Sequence, residues 1–327
     1  MPVTIALAGS TILGRGVAAY VERAADPTGL VAGELLARLL AADFFVLSLE
    51  GSVADRGEPH GGESSGFRAA PRAAELLARM GVGCVTMANG HTLDYGPDAL
   101  ADTITHLTDV GIGVAGAGHD EASARQPALA SVGGLRVGVL GLGDDPPEYA
   151  AGPDRPGIAY ADLRSGADGW AVEAIRTYRA HVDTLLVMPH WGPPMTENPP
   201  AYVRAAARDF AGAGATLVAG DGAGVVHGVE PPVLYDLGGF LNDTTAEAGT
   251  CGDLGLVWFV DVSEGRPVRL RALPIALEAA HTRPAVGDEW TAVHRRFTQA
   301  CLRMGTDVKA DGHELVVDLA AHPAAGC

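Results

Sequence analysis

Within ten residues, Met87-Ala-Asn-Gly-His-Thr-Leu-Asp-Tyr-Gly96, the chain gathers an amide (Asn89), an imidazole (His91) and a carboxylate (Asp94). A carboxylate three residues from a histidine can orient the ring and raise its basicity, which is what proton transfer needs. The same residues could instead cap a turn, with Asn89 or Asp94 taking up backbone N–H groups. Other apolar runs stop on residues of similar chemistry. Val3–Ala8 leads to Ser10, Phe44–Leu49 ends on Glu50, Thr184–Pro189 ends on His190, and Thr216–Gly220 leads to Asp221, with His227 beyond it. Each alone fits a structural role, but reactive groups recurring at one end of successive strands point to a shared site.

The elements that must position these groups alternate along the chain. Apolar strands are read at Val3–Ala8, Phe44–Glu50, Cys84–Met87, Leu135–Leu142, Thr184–His190, Thr216–Asp221, Val233–Gly238, Gly255–Val262 and Val268–Ile275. Helical spacing falls between them at Leu30–Ala41, Pro71–Met80, Pro97–Gly111, Asp168–His181, Ala201–Ala213 and Glu289–Met304. Alternating strands and helices predict an α/β fold with the chemistry outside the C-terminal ends of the strands. No linker-like stretch interrupts the pattern, so residues 1–327 are read as one domain, with 265–327 as a C-terminal strand and helix extension packed on it. The Gly-rich stretch Gly57–Gly66 has the composition of a lid.

Charge narrows the partners. The formal net charge is −17, from 40 acidic against 23 basic residues, and Lys309 is the one lysine. Such a surface repels phosphate backbones, which excludes nucleic acid and anionic membranes as expected partners. The N-terminus reads as a strand rather than a signal peptide, and no run is long enough to span a bilayer. The four cysteines (Cys84, Cys251, Cys301, Cys327) form no CxxC pair, so reduced thiols and a cytoplasmic location are expected. His60, His119, His181 and His294 sit in polar or helical surroundings and are read as solvated.

Taken in order, Gly9-Ser-Thr-Ile-Leu-Gly-Arg-Gly-Val17, Ser48-Leu-Glu50, Ala88-Asn-Gly-His-Thr-Leu-Asp-Tyr-Gly96, Pro189-His-Trp-Gly192, Gly220-Asp-Gly-Ala-Gly224 and Tyr235-Asp-Leu-Gly-Gly-Phe240 form a series. This series resembles the CapA/PgsA-type proteins of poly-γ-glutamate capsule synthesis, a branch of the calcineurin-like metallophosphoesterase superfamily. The resemblance implies a four-layer α/β/β/α sandwich with the site at the strand ends. It also exposes departures. Ser10 stands where the family has an aspartate, Gly90 where it has an asparagine, and Gly222 and Gly224 fall in a segment that supplies the family's histidines. Glu50, His91, Asp94 and His190 match. Two metals about 3.5–4 Å apart, as two-metal phosphoester hydrolysis uses, need more ligands than remain. One hard cation, Ca²⁺ or Mg²⁺, held by Glu50, Asp221 and water, is the expected cofactor, with no organic cofactor.

Three functions follow as expectations. In the first, His91 with Asp94 and His190 with Asp221 are two catalytic His/carboxylate pairs on opposite faces of a carbon acid, suited to inversion at a peptide Cα. Soluble relatives that epimerise a ribosomally made lasso-peptide precursor imply the same. The second is a conventional CapA role in poly-γ-glutamate synthesis or metal-dependent hydrolysis. The third is a non-catalytic pseudoenzyme that binds without turnover. The substrate in each case is a peptide or small anion. Arg15 and Arg68 are placed to bind its carboxylates bidentately, with Trp191 and His227 as further substrate-binding residues. Trp191 reads either as a stacking wall or as a core anchor. Oligomeric state is left open.

Overall fold

Phe44-Phe-Val-Leu-Ser-Leu-Glu50 is buried at every position, and a strand with no polar face must be covered on both sides. The chain meets this demand by stacking two sheets between two layers of helices. The computed structural model describes residues 2–59, 66–166, 169–242 and 253–319. Its larger sheet runs, edge to edge, Lys309–Asp311, Glu314–Asp318, Arg266–Glu278, Leu254–Ser263, Val3–Ile12, Phe44–Glu50, Val82–Thr86 and Gly113–Ala115. Gly239–Leu241 and His281–Pro284 pair off this path. The second sheet runs Val229–Glu230, Val233–Leu234, Leu217–Ala219, Thr184–His190, Leu135–Gly143 and Ala128–Val132. In each sheet the strands that carry chemistry are parallel to one another, so their C-terminal ends open in one direction, while Val3–Ile12 pairs antiparallel with Leu254–Ser263 on its other side.

Side-chain alternation sorts the residues into layers. On Val3–Ile12, Ala6 and Ala8 face the helices Arg15–Arg23, Gly33–Leu40, Arg72–Arg79 and Gly96–Asp109, whereas Val3, Ile5 and Leu7 face the second sheet. On Thr184–His190, Leu186 and Met188 meet that inter-sheet layer, while Leu185 and Val187 pack against helices Gly169–Arg179 and Ala201–Ala213. The result is the four-layer α/β/β/α sandwich expected. Helix Asp288–Leu302 plugs one side of the middle layer with Val293, Phe297 and Cys301. Trp258 anchors it there, edge-on to Phe297 at 5.5 Å and donating from Nε1 to the Leu237 carbonyl at 3.1 Å.

Element ends shift from expectation by a few residues, as in Gly33–Leu40 and Gly96–Asp109. The helix Arg15–Arg23 is masked in the sequence by Gly14 and Gly16, although Val17 and Val21 lie four apart on its buried face. The stretch after residue 265 is woven into the larger sheet, because Arg266–Glu278 lies between Leu254–Ser263 and Glu314–Asp318. Cys84 and Cys301 are buried free thiols, each pushed up to about 12 by burial. Cys251, Cys327, His60 and most of the Gly57–Gly66 stretch lie outside the described residues. No helix among the described residues is long and apolar enough to cross a membrane.

Candidate active site

The inter-sheet face that carries Leu7, Val46, Met188 and Ala219 continues, at the strand ends, into polar side chains. Glu50 keeps the parity of Val46, His190 that of Met188, and Asp221 that of Ala219. Ser10 has the parity of Ala8, which points to the helices. A register shift between Ala8 and Ser10 turns the strand there, and Ser10 joins the others. His190 and Asp221 are bridged side by side across neighbouring parallel strands. Two sheets therefore contribute to one cluster: Ser10 and Glu50 from the larger, His190 and Asp221 from the second.

Ligand-type atoms of Glu50, His190 and Asp221 all lie within 4.8 Å of one another. The Ser10 hydroxyl donates to Glu50 Oε1 and lies 3.5 Å from Asp221 Oδ1. His190 Nδ1 and Asp221 Oδ2 are 3.5 Å apart, close enough for charge attraction. Neither atom makes a hydrogen bond among the described residues, although both are buried. Above this cluster opens a cleft of about 490 Å³, bordered by Ser10, Glu50, His91, Asp144 and His190, with a rim that includes Gly90, Met195 and Gly222–Gly224.

The loop after Val82–Thr86 supplies His91. Asn89 is buried and donates from Nδ2 to the Leu49 carbonyl at 2.8 Å, while its Oδ1 accepts the His91 N–H at 3.0 Å. This ties the loop to the Glu50 strand. His91 Nδ1 lies 2.9 Å from Asp94 Oδ2, which also accepts the Phe67 N–H at 3.0 Å. The Phe67 ring leans on the imidazole with centroids 4.5 Å apart. An ionised Asp94 can only accept, so the pair fixes the proton on Nδ1 and leaves the Nε2 lone pair free. Nε2 lies 3.9 Å from Glu50 Oε2, at the cleft.

Burial and crowding set the charges. Burial raises the Glu50 carboxyl above its usual range and the charge of Asp221 adds to the rise; His190, Ser10 and His91 oppose it. Burial alone would lower His190, but Asp221, followed by the charges of Glu50 and Asp236, outweighs burial and raises the ring to about 9. Asp236 is raised well above a normal carboxyl, first by burial and then by Asp221, although it accepts the N–H groups of Ala223 and Gly238 at 2.7 and 2.8 Å. At neutral pH a protonated His190 thus sits beside Asp221, with the raised carboxyls of Glu50 and Asp236 around the pair.

Among the described residues, one donor set fits a cation. One imidazole and two carboxylates converge, and the His190 and Asp221 atoms between them lack hydrogen-bond partners among the described residues. The departures at the rim differ in kind. A side chain at Gly90 would meet only Pro146 Cδ at 3.7 Å, so the backbone has room for one. Gly222 has φ +123°, and a Cβ there would lie 2.7 Å from the Trp191 carbonyl oxygen. Glycine is required at 222 and merely present at 90.

Trp191 is a core anchor and not a substrate wall. It is 2% exposed, stacks on Phe210 at 6.3 Å and donates from Nε1 to the Tyr235 carbonyl at 2.9 Å. Its parity explains this, because 185, 187 and 191 all face the helical side of the sheet. His227 is likewise buried beneath the loops, with Nε2 2.7 Å from the Thr196 carbonyl oxygen, and burial lowers its basicity. Arg68 is held by the scaffold, donating to the Gly57 carbonyl and stacking over Tyr95. Arg15 is exposed above Phe67, the neighbour of His91. Two further acids belong to the site and are missing from its sequence reading. Asp144 is 4% exposed, borders the cleft, is raised by burial, and has an Oδ2 without a hydrogen bond among the described residues. Asp236 is 1% exposed. Both follow strand ends, the signal that marks Glu50 and Asp221.

Residues 4–244 match the family described as bacterial capsule synthesis protein PGA_cap. A protein of Mycobacterium tuberculosis named as a probable polyglutamine synthesis accessory protein is 27% identical over 350 aligned positions, covering 90% of this chain and 92% of that one. The PGA biosynthesis protein CapA of Bacillus subtilis is 27% identical over 175, covering 52% of this chain and 45% of its own length. Among solved structures, one described as a novel phosphatase of Mycoplasma pneumoniae superposes with a TM-score of 0.51 at 12% identity, covering 84% of this chain and 94% of that chain. This last likeness bears on the fold alone.

Proposed function

Because the chain belongs to the bacterial capsule synthesis protein family PGA_cap, we propose that it acts on an acidic peptide by acid–base chemistry, inverting a Cα in the cleft. The observation that carries this reading is the His91 pair: Nδ1 bound to Asp94 at 2.9 Å, the side chain 39% exposed, and Nε2 directed to the cleft beside Glu50. The names of the relatives, polyglutamine synthesis accessory protein and PGA biosynthesis protein, support a peptide substrate.

In this scheme His91 Nε2 takes the Cα proton, the C–H bond breaks, and its electron pair moves onto the adjacent carbonyl as an enolate. His190, protonated at neutral pH by its acidic neighbours, returns a proton to the other face, and exchange with solvent resets both rings. Asp94 keeps His91 in the productive tautomer and stabilises the imidazolium that forms. Arg15, over the Phe67 ring that leans on His91, pairs with a substrate carboxylate.

A second reading, metal-assisted hydrolysis, is favoured by the His190 and Asp221 atoms that lack partners among the described residues. Glu50, His190 and Asp221 would hold the ion, and a mixed nitrogen and oxygen set suits a transition metal better than Ca²⁺. When bound, such an ion supplies positive charge beside the substrate carbonyl. Incubation of glutamate oligomers in D₂O, with and without chelator, separates the two. Deuterium at Cα with chain length intact and indifferent to chelator supports inversion. New amine termini that vanish with chelator support hydrolysis. A peptide recovered unchanged in both arms defeats both.

A further inference from the structure

Behind the loops that close the cleft lies a second cavity, of about 400 Å³, built against the C-terminal helix. That helix buries Val293, Phe297 and Cys301 between the sheets. The flank beside this stripe carries Arg295 and Arg296, with Arg303 just past the helix end, and all three border the cavity. Positions 295 and 303 are two intervals of four apart and share a face. Arg295 and Arg303 are exposed and Arg296 is half-buried.

None of the three side chains has an ion pair or hydrogen bond among the described residues, in a chain of net charge −17 where acidic neighbours are plentiful. Arg283, by contrast, is forked onto Glu278 and Glu289. Like charges crowded on one helix face repel, and Glu197 is the single acid on the cavity wall among the described residues. An anion set among the guanidinium groups would relieve that repulsion. Val226, Leu254 and Phe297 give the cavity an apolar floor for methylene groups.

The two cavities share a wall. Pro194, Met195 and Gly222–Gly224 line the cleft, while Glu197 and Val226, from the same two loops, line the second cavity. A ligand with carboxylates repeated along its length could engage both, since an extended peptide advances about 3.3–3.6 Å per residue. We propose that Arg295, Arg296 and Arg303 form a subsite that binds the carboxylates of an acidic peptide whose reacting residue lies in the cleft. The guanidinium fork matches a carboxylate in two parallel hydrogen bonds. This subsite rests on the peptide reading of the cleft.

The test is fluorescence anisotropy of a labelled oligoglutamate long enough to reach from the cleft to the helix, at low and higher salt. The wild type should bind with an affinity that falls with salt. The R295Q/R296Q/R303Q protein should bind roughly 10-fold more weakly, with a flatter salt dependence and an unchanged melting temperature. If the triple variant does not fold, the single variants R295Q and R303Q replace it, each expected to lose roughly 2-fold. Equal affinity of variant and wild type, or equally tight binding of uncharged oligoglutamine, overturns the subsite. His91→Ala should lower turnover by about 10²–10⁴ and leave the anisotropy unchanged. Arginine-dependent binding without wild-type turnover would sink the cleft chemistry and keep the subsite. Turnover with the same KM in wild type and triple variant would do the reverse.

Discussion

Replacing His190 by glutamine should cost the metal-stripped protein much of its stability in acid and far less in alkali. The folded protein raises His190 from 6.5 to about 9 because Asp221, Glu50 and Asp236 surround it. A group that binds its proton more tightly when folded stabilises the fold fully below its unfolded value, here 6.5, and loses that contribution as pH rises through the folded value. At about 1.4 kcal/mol per unit, the rise is worth about 3 kcal/mol. Urea unfolding of wild type and His190→Gln, followed by tryptophan fluorescence across the range, gives two stability curves. The gap between them should shrink by about 3 kcal/mol between pH 6.5 and pH 9. Titrating groups remote from the cluster are common to both proteins and cancel in the difference, whereas the carboxyls of Glu50 and Asp236, which His190 holds down, rise further when it is removed. Asp221→Asn, which removes the principal partner, should flatten the gap. A gap that stays constant or widens with pH would refute the assignment of His190 as counter-ion to the buried acids.

His91→Ala should lower turnover by about 10²–10⁴, the usual contribution of a positioned base, with folding intact; steady-state rates beside a thermal melt check this, and an unaffected rate removes His91 from the chemistry. Gly220→Ala should destabilise the fold by about 1–3 kcal/mol, because its Cβ would lie 2.3 Å from Trp191 Nε1 and 2.4 Å from the Tyr235 carbonyl oxygen. A melting temperature equal to wild type would contradict this. Gly90→Asn adds an amide oxygen at the open rim position and should tighten divalent-cation binding roughly tenfold, read by calorimetry; unchanged affinity would place that rim position too far from the ion.

The strand ends can be found in the sequence because buried parallel strands are unbroken apolar runs, and the first polar residue after each run marks where the sheet stops. Alternation carries further information. Trp191 directly follows a strand whose odd residues pack against helices, so its core position continues the side of Leu185 and Val187. Ser10 shows the opposite limit: counting by twos sends it to the wrong face, and the register shift that corrects it leaves no composition signal beyond Gly9. Which ends meet is less accessible. Glu50 and Asp221 are brought together by the packing of one sheet on another, and such long-range pairing has no local pattern. Asp144 and Asp236 carry the same strand-end signal, yet each resembles an ordinary loop acid until its burial is seen.

A cluster drawn from two sheets exists only when the sheets are docked. Either sheet alone would hold half of it: Ser10 and Glu50 on one side, His190 and Asp221 on the other. Occupancy of this site is then a gauge of the apolar seam beneath it, formed by Leu7, Val46, Leu186 and Met188. A substitution in that seam, far from any reacting atom, would be felt first as a slackened grip on a cation or proton. Ligand, conversely, would act as a rivet, slowing the separation of the two sheets during unfolding.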